Sequence, residues 1–122
     1  MSVFSRQRYK TSNMKRYCLA LDLKPDPVLI AEYEAHHRNV WPEILESIRE
    51  AGIHRLEIYR IENRLFMILE ADDSFSFEKK AALDAASPAV QQWEQLMWNY
   101  QKALPSAGNG EKWMLMDKIF EL

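Results

Sequence analysis

The sequence is poor in cysteine, in glycine and in net charge, and each shortage excludes something. Cys18 is the one cysteine among 122 residues, so neither an internal disulfide nor a cysteine-based zinc cluster is available. With three glycines the chain carries no glycine-rich phosphate loop. It also has no CxxC pair and no Gly-x-Ser-x-Gly elbow. Sixteen Lys and Arg oppose eighteen Asp and Glu, for a formal charge of −2 and a pI of about 5.9. That balance argues against a general nucleic-acid binder, which needs excess basic charge to displace counterions. No apolar run approaches the ~18 residues that cross a bilayer. The expectation is a soluble, cytoplasmic protein of a reducing compartment, with no nucleic-acid and no membrane partner.

What is present suits one domain: 14.4 kDa, 48% hydrophobic and 28% charged residues, enough for a core without staples. The first segment, Met1 to Asn13, stands apart. It carries Arg6, Arg8 and Lys10, and the first acidic residue of the chain is Asp22. An acid-poor, Arg-bearing start resembles a transit peptide, but it has no apolar face at helical spacing and no apolar core of a secretory signal. Residues 1–13 are therefore expected to be a disordered extension, and residues 14–122 a single domain.

From Lys15 onward the patterning is firm. Tyr17, Leu19, Leu21 and Leu23 alternate with Cys18, Ala20 and Asp22, the period of a strand. Pro25-Asp26-Pro27 ends it and opens a helix. Ile30, Tyr33, His37, Val40, Trp41, Ile44 and Ile48 recur at helical spacing, but Pro42 predicts a break near Arg38–Trp41 and a second helix from Pro42, stopped at Gly52. Ile53–Ile61 and Arg64–Ala71 read as a hairpin turning at Glu62-Asn63. A second helical region is predicted from near Phe75 to Ala103, restarted at Ser87-Pro88, with Val90, Trp93, Met97, Tyr100 and Leu104 on one face. A loop over 105–112 and a final strand over Trp113–Leu122 complete the order β-α-β-β-α-β.

That order is the ferredoxin-like α+β plan, a four-stranded antiparallel sheet with its helices on one face. Neither strand face is cleanly polar: Leu65, Met67 and Leu69 oppose Phe66 and Ile68. Apolar residues on both faces of a single-layer sheet imply a second sheet against the first, most simply that of a second copy, and hence a homodimer.

His36-His37 is the only histidine cluster. Adjacent helical residues point about 100° apart, so the pair cannot chelate one metal as an i, i+4 pair would. Neither a metal nor a cofactor is expected. Tyr33, His37 and Trp41 do share one helical face, which ends at the proline break. On spacing alone this is either a packed amphipathic helix or a site, and Trp93 and Tyr100 carry the same two readings. A phenol, an indole plate and an imidazole on one face suit a polyol. His54, on a strand with Leu56 and Ile58, reads as a packing residue.

The run Tyr33…His37…Trp41-Pro42-Glu43 resembles the signature of the L-rhamnose mutarotase family. The likeness continues through Gly52, Glu57-Ile58-Tyr59, Leu65-Phe66, Gln92-Trp93 and Ile119-Phe120-Glu121-Leu122, nearly everything from Met14 onward. It implies a dimeric α/β barrel of ferredoxin-like units. By position it makes His37 the proton-donating catalytic histidine and Tyr33 a sugar contact. Two family binding positions differ here. A tyrosine on the second strand is Leu56, and the second residue of a Trp-Trp pair is Glu94, so only Trp93 of that pair is kept. These changes redraw the hydrogen-bonding map of the pocket and make L-fucose as natural a substrate as L-rhamnose.

The implied reaction interconverts the α and β anomers of a 6-deoxy-L-hexose by acid–base ring opening. It breaks no C–C bond and has no redox step. His37 carries one proton; Glu94, Tyr33 or a water is left as the second carrier, with Trp41 and Trp93 as walls. The same barrel plan also accommodates haem-binding or cofactor-free monooxygenases, with His37 as axial ligand, and a non-enzymatic sugar-binding module.

Overall fold

The computed structural model describes residues 14–122, and the extension expected over residues 1–13 lies outside the described residues. Alternation places β1 at Lys15–Leu23, with Leu19, Leu21 and Leu23 buried. Asp26 then caps α1, Pro27–His37, its carboxylate accepting from the amides of Val28 (2.9 Å) and Leu29 (3.2 Å). The predicted break is present. Trp41 holds an extended backbone (φ −58°, ψ 137°) ahead of Pro42, which is the first residue of α2, Pro42–Glu50. Proline disfavours helical geometry in the residue before it, and that is the cause.

Gly52 closes α2 in the left-handed region at φ 94°. A Cβ there would lie 2.8 Å from Asp72 Oδ1, and the Gly52 carbonyl accepts from the Asp72 amide at 3.0 Å. Only glycine satisfies both demands. β2, Ile53–Ile61, and β3, Arg64–Ala71, form the predicted hairpin, with Glu62 at φ 52° in its turn. Asn63 ties that turn to the end of β1: its side-chain amide donates to the Leu23 carbonyl at 3.1 Å, and the Leu23 amide donates to the Asn63 carbonyl at 2.7 Å.

Two expectations need correction. The second helical region is two helices, α3 at Phe77–Ala85 and α4 at Pro88–Trp98. It stops short of Ala103 because Gln101–Lys102 form β4 against Asp22 and Leu23, and that pairing takes up the backbone groups a helix would need. The final strand shrinks to β5, Met114–Leu115, opposite Leu19 and Ala20. The outer edge of β1 is therefore divided between two short strands. Beyond the pairing, Ile119 (94% exposed) and Phe120 (76%) stand off the sheet.

The sheet runs β2-β3-β1-β4, with β5 also on β1, and every pairing is antiparallel. This is the ferredoxin-like arrangement with a divided fourth strand. Leu19, Leu65, Met67 and Leu69 lie on the face that packs against buried residues of α2, α4 and the segments between the elements. On the opposite face Phe66 and Ile68 are half-buried and Tyr59 is exposed.

Candidate active site

Residues four apart on α1 meet on one side, and the structure stacks them. The rings of Tyr33 and His37 lie 4.4 Å apart between centroids. His37 Nδ1 donates to the Tyr33 main-chain carbonyl at 2.9 Å. A carbonyl only accepts, so Nδ1 carries the proton and Nε2 of the neutral ring is left as a free acceptor. Burial lowers the His37 pKa below its usual value, and neighbouring His36 adds to this; the hydrogen bond to Tyr33 opposes it. The ring is thus held neutral near neutral pH, in one tautomer.

Tyr33 is buried, and burial pushes its hydroxyl pKa up to about 12. Gln101, itself buried, donates from Nε2 to that hydroxyl at 3.2 Å. The phenol therefore keeps its own proton for another acceptor. Trp93 closes the group, with its ring 5.7 Å from that of His37 and 5.1 Å from that of Trp41, both edge-on. Four of the residues singled out from the sequence, Tyr33, His37, Trp41 and Trp93, are thereby one aromatic cluster.

The structure does not bring the other two into that cluster. Glu94, next to Trp93 on α4, is ion-paired through Oε2 with Lys112 Nζ at 2.8 Å, and that ammonium lies 4.7 Å from the Trp98 ring centre. Its charge still reaches the Tyr33 hydroxyl and helps raise its pKa. Leu56 is half-buried on β2 against the core patch that includes Ala51, Ile53 and Phe75. Two residues farther along the same strand face, Ile58 lines the cleft beside His37.

That cleft has a volume of about 290 Å³, at the small end for ligand pockets, and is bounded by Tyr33, Glu34, His37, Arg38, Ile58, Arg60 and Leu65. Glu34, Arg60 and Gln101 escaped the sequence reading. Glu34 did carry a signal, three residues from His37 on the same helix, and Arg60 follows Ile58 at strand spacing. Gln101 carries none, because the helical apolar spacing runs on through it to Leu104 and hides the short strand.

The other histidines behave differently from one another. His36 turns to Tyr100, with Nε2 3.2 Å from its hydroxyl. His54 is not a packing residue: it is exposed and pairs with Asp72 Oδ2 at 2.6 Å. Its strand position puts it at the sheet margin, where the carboxylate of Asp72 is the available partner. Among the described residues, no group of three or more His, Cys, Asp or Glu side chains is arranged to hold a metal ion.

A family model described as L-rhamnose mutarotase matches residues 16–122. The chain belongs to the L-rhamnose mutarotase family. Mutarotases are isomerases that interconvert sugar anomers. A curated L-fucose mutarotase from Xanthomonas campestris pv. campestris is 47% identical over 112 residues, covering 90% of each chain. An L-rhamnose mutarotase from Acidiphilium cryptum is 28% identical over 73% of this chain and 84% of its own. Among solved structures, an L-rhamnose mutarotase from Formosa agariphila superposes with a TM-score of 0.65 at 18% identity, covering 88% of this chain and 98% of that one. The same fold recurs in a tetracenomycin F2 cyclase from Streptomyces glaucescens, with a TM-score of 0.56 and 19% identity over 88% and 96% of the two chains. Fold alone therefore does not select the chemistry here. Family membership does.

Proposed function

We propose that this protein interconverts the α and β anomers of a 6-deoxy-L-hexose, with L-fucose the first choice and L-rhamnose the second. The observation that carries the reading is His37, a neutral imidazole in the cleft whose Nδ1 proton is committed to Tyr33. Its Nε2 takes the proton of the anomeric hydroxyl. The C1–O5 bond then breaks as C1=O1 forms, and O5 receives a proton. Rotation about C1–C2 and reclosure on the other face of the carbonyl return the opposite anomer. No electron leaves the sugar and no C–C bond is touched.

Tyr33 suits the second proton or a hydroxyl contact, since Gln101 occupies an acceptor position of its oxygen and leaves its O–H free. Trp93, which is buried, and Trp41 lie outside the cleft lining and suit a role in backing the Tyr33–His37 pair from the core side. Glu94 is engaged by Lys112 and fits a role as hydroxyl acceptor through Oε1 better than one as a proton carrier. Leu56 lies outside the cleft lining, and the apolar wall suited to the methyl group of a deoxy sugar comes from Ile58 and Leu65. The preference for L-fucose rests on the 47% identity to a protein of that name.

The assembly we infer is a homodimer in the cytoplasm. Tyr59, Phe66, Ala20 and Met114 lie in register across the sheet face away from the helices, and charged pairs such as Arg16–Glu70 and Arg64–Asp22 border them. An apolar band with a charged margin suits a sheet-to-sheet contact. Anomer-exchange NMR of the purified protein with L-fucose, L-rhamnose and other hexoses tests the activity. Exchange faster than the buffer rate, selective for 6-deoxy-L-sugars, is expected; exchange at the buffer rate for every sugar removes the reading.

A further inference from the structure

The cleft beside His37 has a charged wall that the reaction scheme above does not use. Glu34, on α1, stands three residues before His37, and residues so spaced on a helix lie on neighbouring parts of one face. Facing it from β2, Arg60 donates through Nε to Glu34 Oε2 at 2.6 Å, and through NH1 to the Glu62 carbonyl at 2.7 Å. Both side chains are part-exposed, at 35% for Arg60 and 43% for Glu34. Both line the His37 cleft, and both also line a neighbouring one of about 530 Å³ bounded by Pro25, Pro27 and Ile30. The pair is thus the partition between the two clefts.

The hydrogen bonds it makes leave a definite remainder. Among the described residues, Arg60 NH2 and Glu34 Oε1 form no hydrogen bond, while Nε, NH1 and Oε2 are committed. A guanidinium offers donors only and a carboxylate acceptors only. The wall therefore presents one fixed donor group and one fixed acceptor side by side. The bond from NH1 to the Glu62 carbonyl holds the guanidinium at the hairpin turn, so the donor does not have to be ordered by the ligand.

The geometry points to Glu34 and Arg60 as the specificity-determining pair for the sugar's ring hydroxyls. This deepens the mutarotase reading and rests on it. With the anomeric carbon at His37, the pair meets the ring hydroxyls away from C1. Arg60 NH2 donates to one hydroxyl oxygen, and Glu34 Oε1 accepts from the other. Such a donor–acceptor wall accepts adjacent hydroxyls in one relative orientation and leaves its own groups unsatisfied against another. That is how a polar site discriminates epimers. L-fucose and L-rhamnose differ in hydroxyl orientation at C2 and C4, so the pair is placed to tell them apart.

The test measures anomer-exchange kinetics on L-fucose and L-rhamnose for the wild type and for Arg60→Leu, Glu34→Gln and Arg60→Lys. Sugar binding is followed in parallel by saturation-transfer NMR. Loss of a hydrogen bond to a charged group should raise KM by about ten- to a hundred-fold in Arg60→Leu and in Glu34→Gln. The kcat should stay within about three-fold, and the ratio of kcat/KM for the two sugars should fall toward unity. Arg60→Lys, which keeps the charge but loses the planar fork, should fall between. The pair is part-exposed, so these variants should fold; melting temperature checks that, and Arg60→Lys carries the test where Arg60→Leu fails to fold. Unchanged KM and sugar preference in a folded variant overturns the pair's role and leaves the mutarotase reading standing. A wild type that binds sugar without exchange, with binding lost in the variants, removes the mutarotase reading and keeps the wall. A wild type that neither binds nor exchanges removes both.

Discussion

The Nδ1 proton of His37 is held by the main-chain carbonyl of Tyr33, one helical turn earlier, at 2.9 Å. The bond fixes the imidazole's tautomer through backbone geometry, with no carboxylate needed. A paired carboxylate would favour the imidazolium; a carbonyl in a half-buried setting leaves the neutral ring favoured. The helix that carries the base thus also orients it.

Replacing His37 should show this directly. General acid–base help contributes about 10²–10⁴-fold, so His37→Asn should slow anomer exchange by that factor. His36→Ala, which loses the contacts with Tyr100 and the edge of Trp93 and leaves the His37 imidazole in place, should leave exchange near normal. Near-normal exchange in His37→Asn would take the proton from His37 and return attention to Glu94 and Tyr33.

Acid should have two effects of the same sign. Burial lowers the folded-state pKa of His37, so protonation below that value removes the base, and kcat/KM should show an acid limb below the usual histidine value of about 6.5. The unfolded chain binds the proton more readily than the folded one. This group's effect on stability is therefore neutral above about 6.5 and unfavourable as pH falls below it. A pH–rate profile and pH-dependent melting curves check the two; an activity that rises into acid contradicts the neutral-base role.

Tyr33→Phe removes a hydroxyl and strands its buried partner. Gln101 Nε2 then has no acceptor in place of the one at 3.2 Å. Leaving a buried donor unsatisfied costs about 1–3 kcal/mol. Urea unfolding should show a loss of that size alongside slower exchange.

Gly52→Ala tests the α2–β2 corner. The left-handed backbone at φ 94° and the 2.8 Å approach of Asp72 Oδ1 both oppose a Cβ. A side chain in that region costs roughly 1–2 kcal/mol before any clash. The melting temperature should drop, with KM for sugar unchanged because the corner is away from the cleft.

Sedimentation of the full chain should give about twice the 14.4 kDa protomer mass. A monomer at micromolar concentration would reject the sheet-to-sheet contact.

The hairpin, the first strand and the break before Pro42 were legible because each depends on local physics: alternation, a turn, a ring that forbids helical geometry next to it. The Tyr33–His37 stack was equally open to reading, since helical periodicity alone puts those two together; Trp41 lies beyond the helix, in extended backbone, and joins the cluster through Trp93. The end of the second helical region was not, because Tyr100 and Leu104 continue the apolar spacing and only the pairing of Gln101 with Leu23 ends the helix. Trp113–Leu122 alternates as a strand does, yet most of it finds no edge to pair with. Arg60 could not be matched to Glu34 from sequence, because their meeting depends on how α1 lies over β2.

The divided edge of β1 also bears on the order in which the molecule assembles. β1 is the first described element to leave the ribosome, yet it is the sheet's hub, bonded to β3 on one side and to β4 and β5 on the other. Its last partner, Met114–Leu115, lies far along the chain from Lys15–Leu23, so the sheet stays incomplete until that segment has been made. Non-local pairing of this kind slows folding. Throughout that interval β1 keeps an open edge, and Leu19, Leu21 and Leu23 lack part of their eventual cover. The nascent chain is accordingly open to strand-to-strand association until Met114–Leu115 has been made, and a chaperone that shields Lys15–Leu23 would protect the step most open to error.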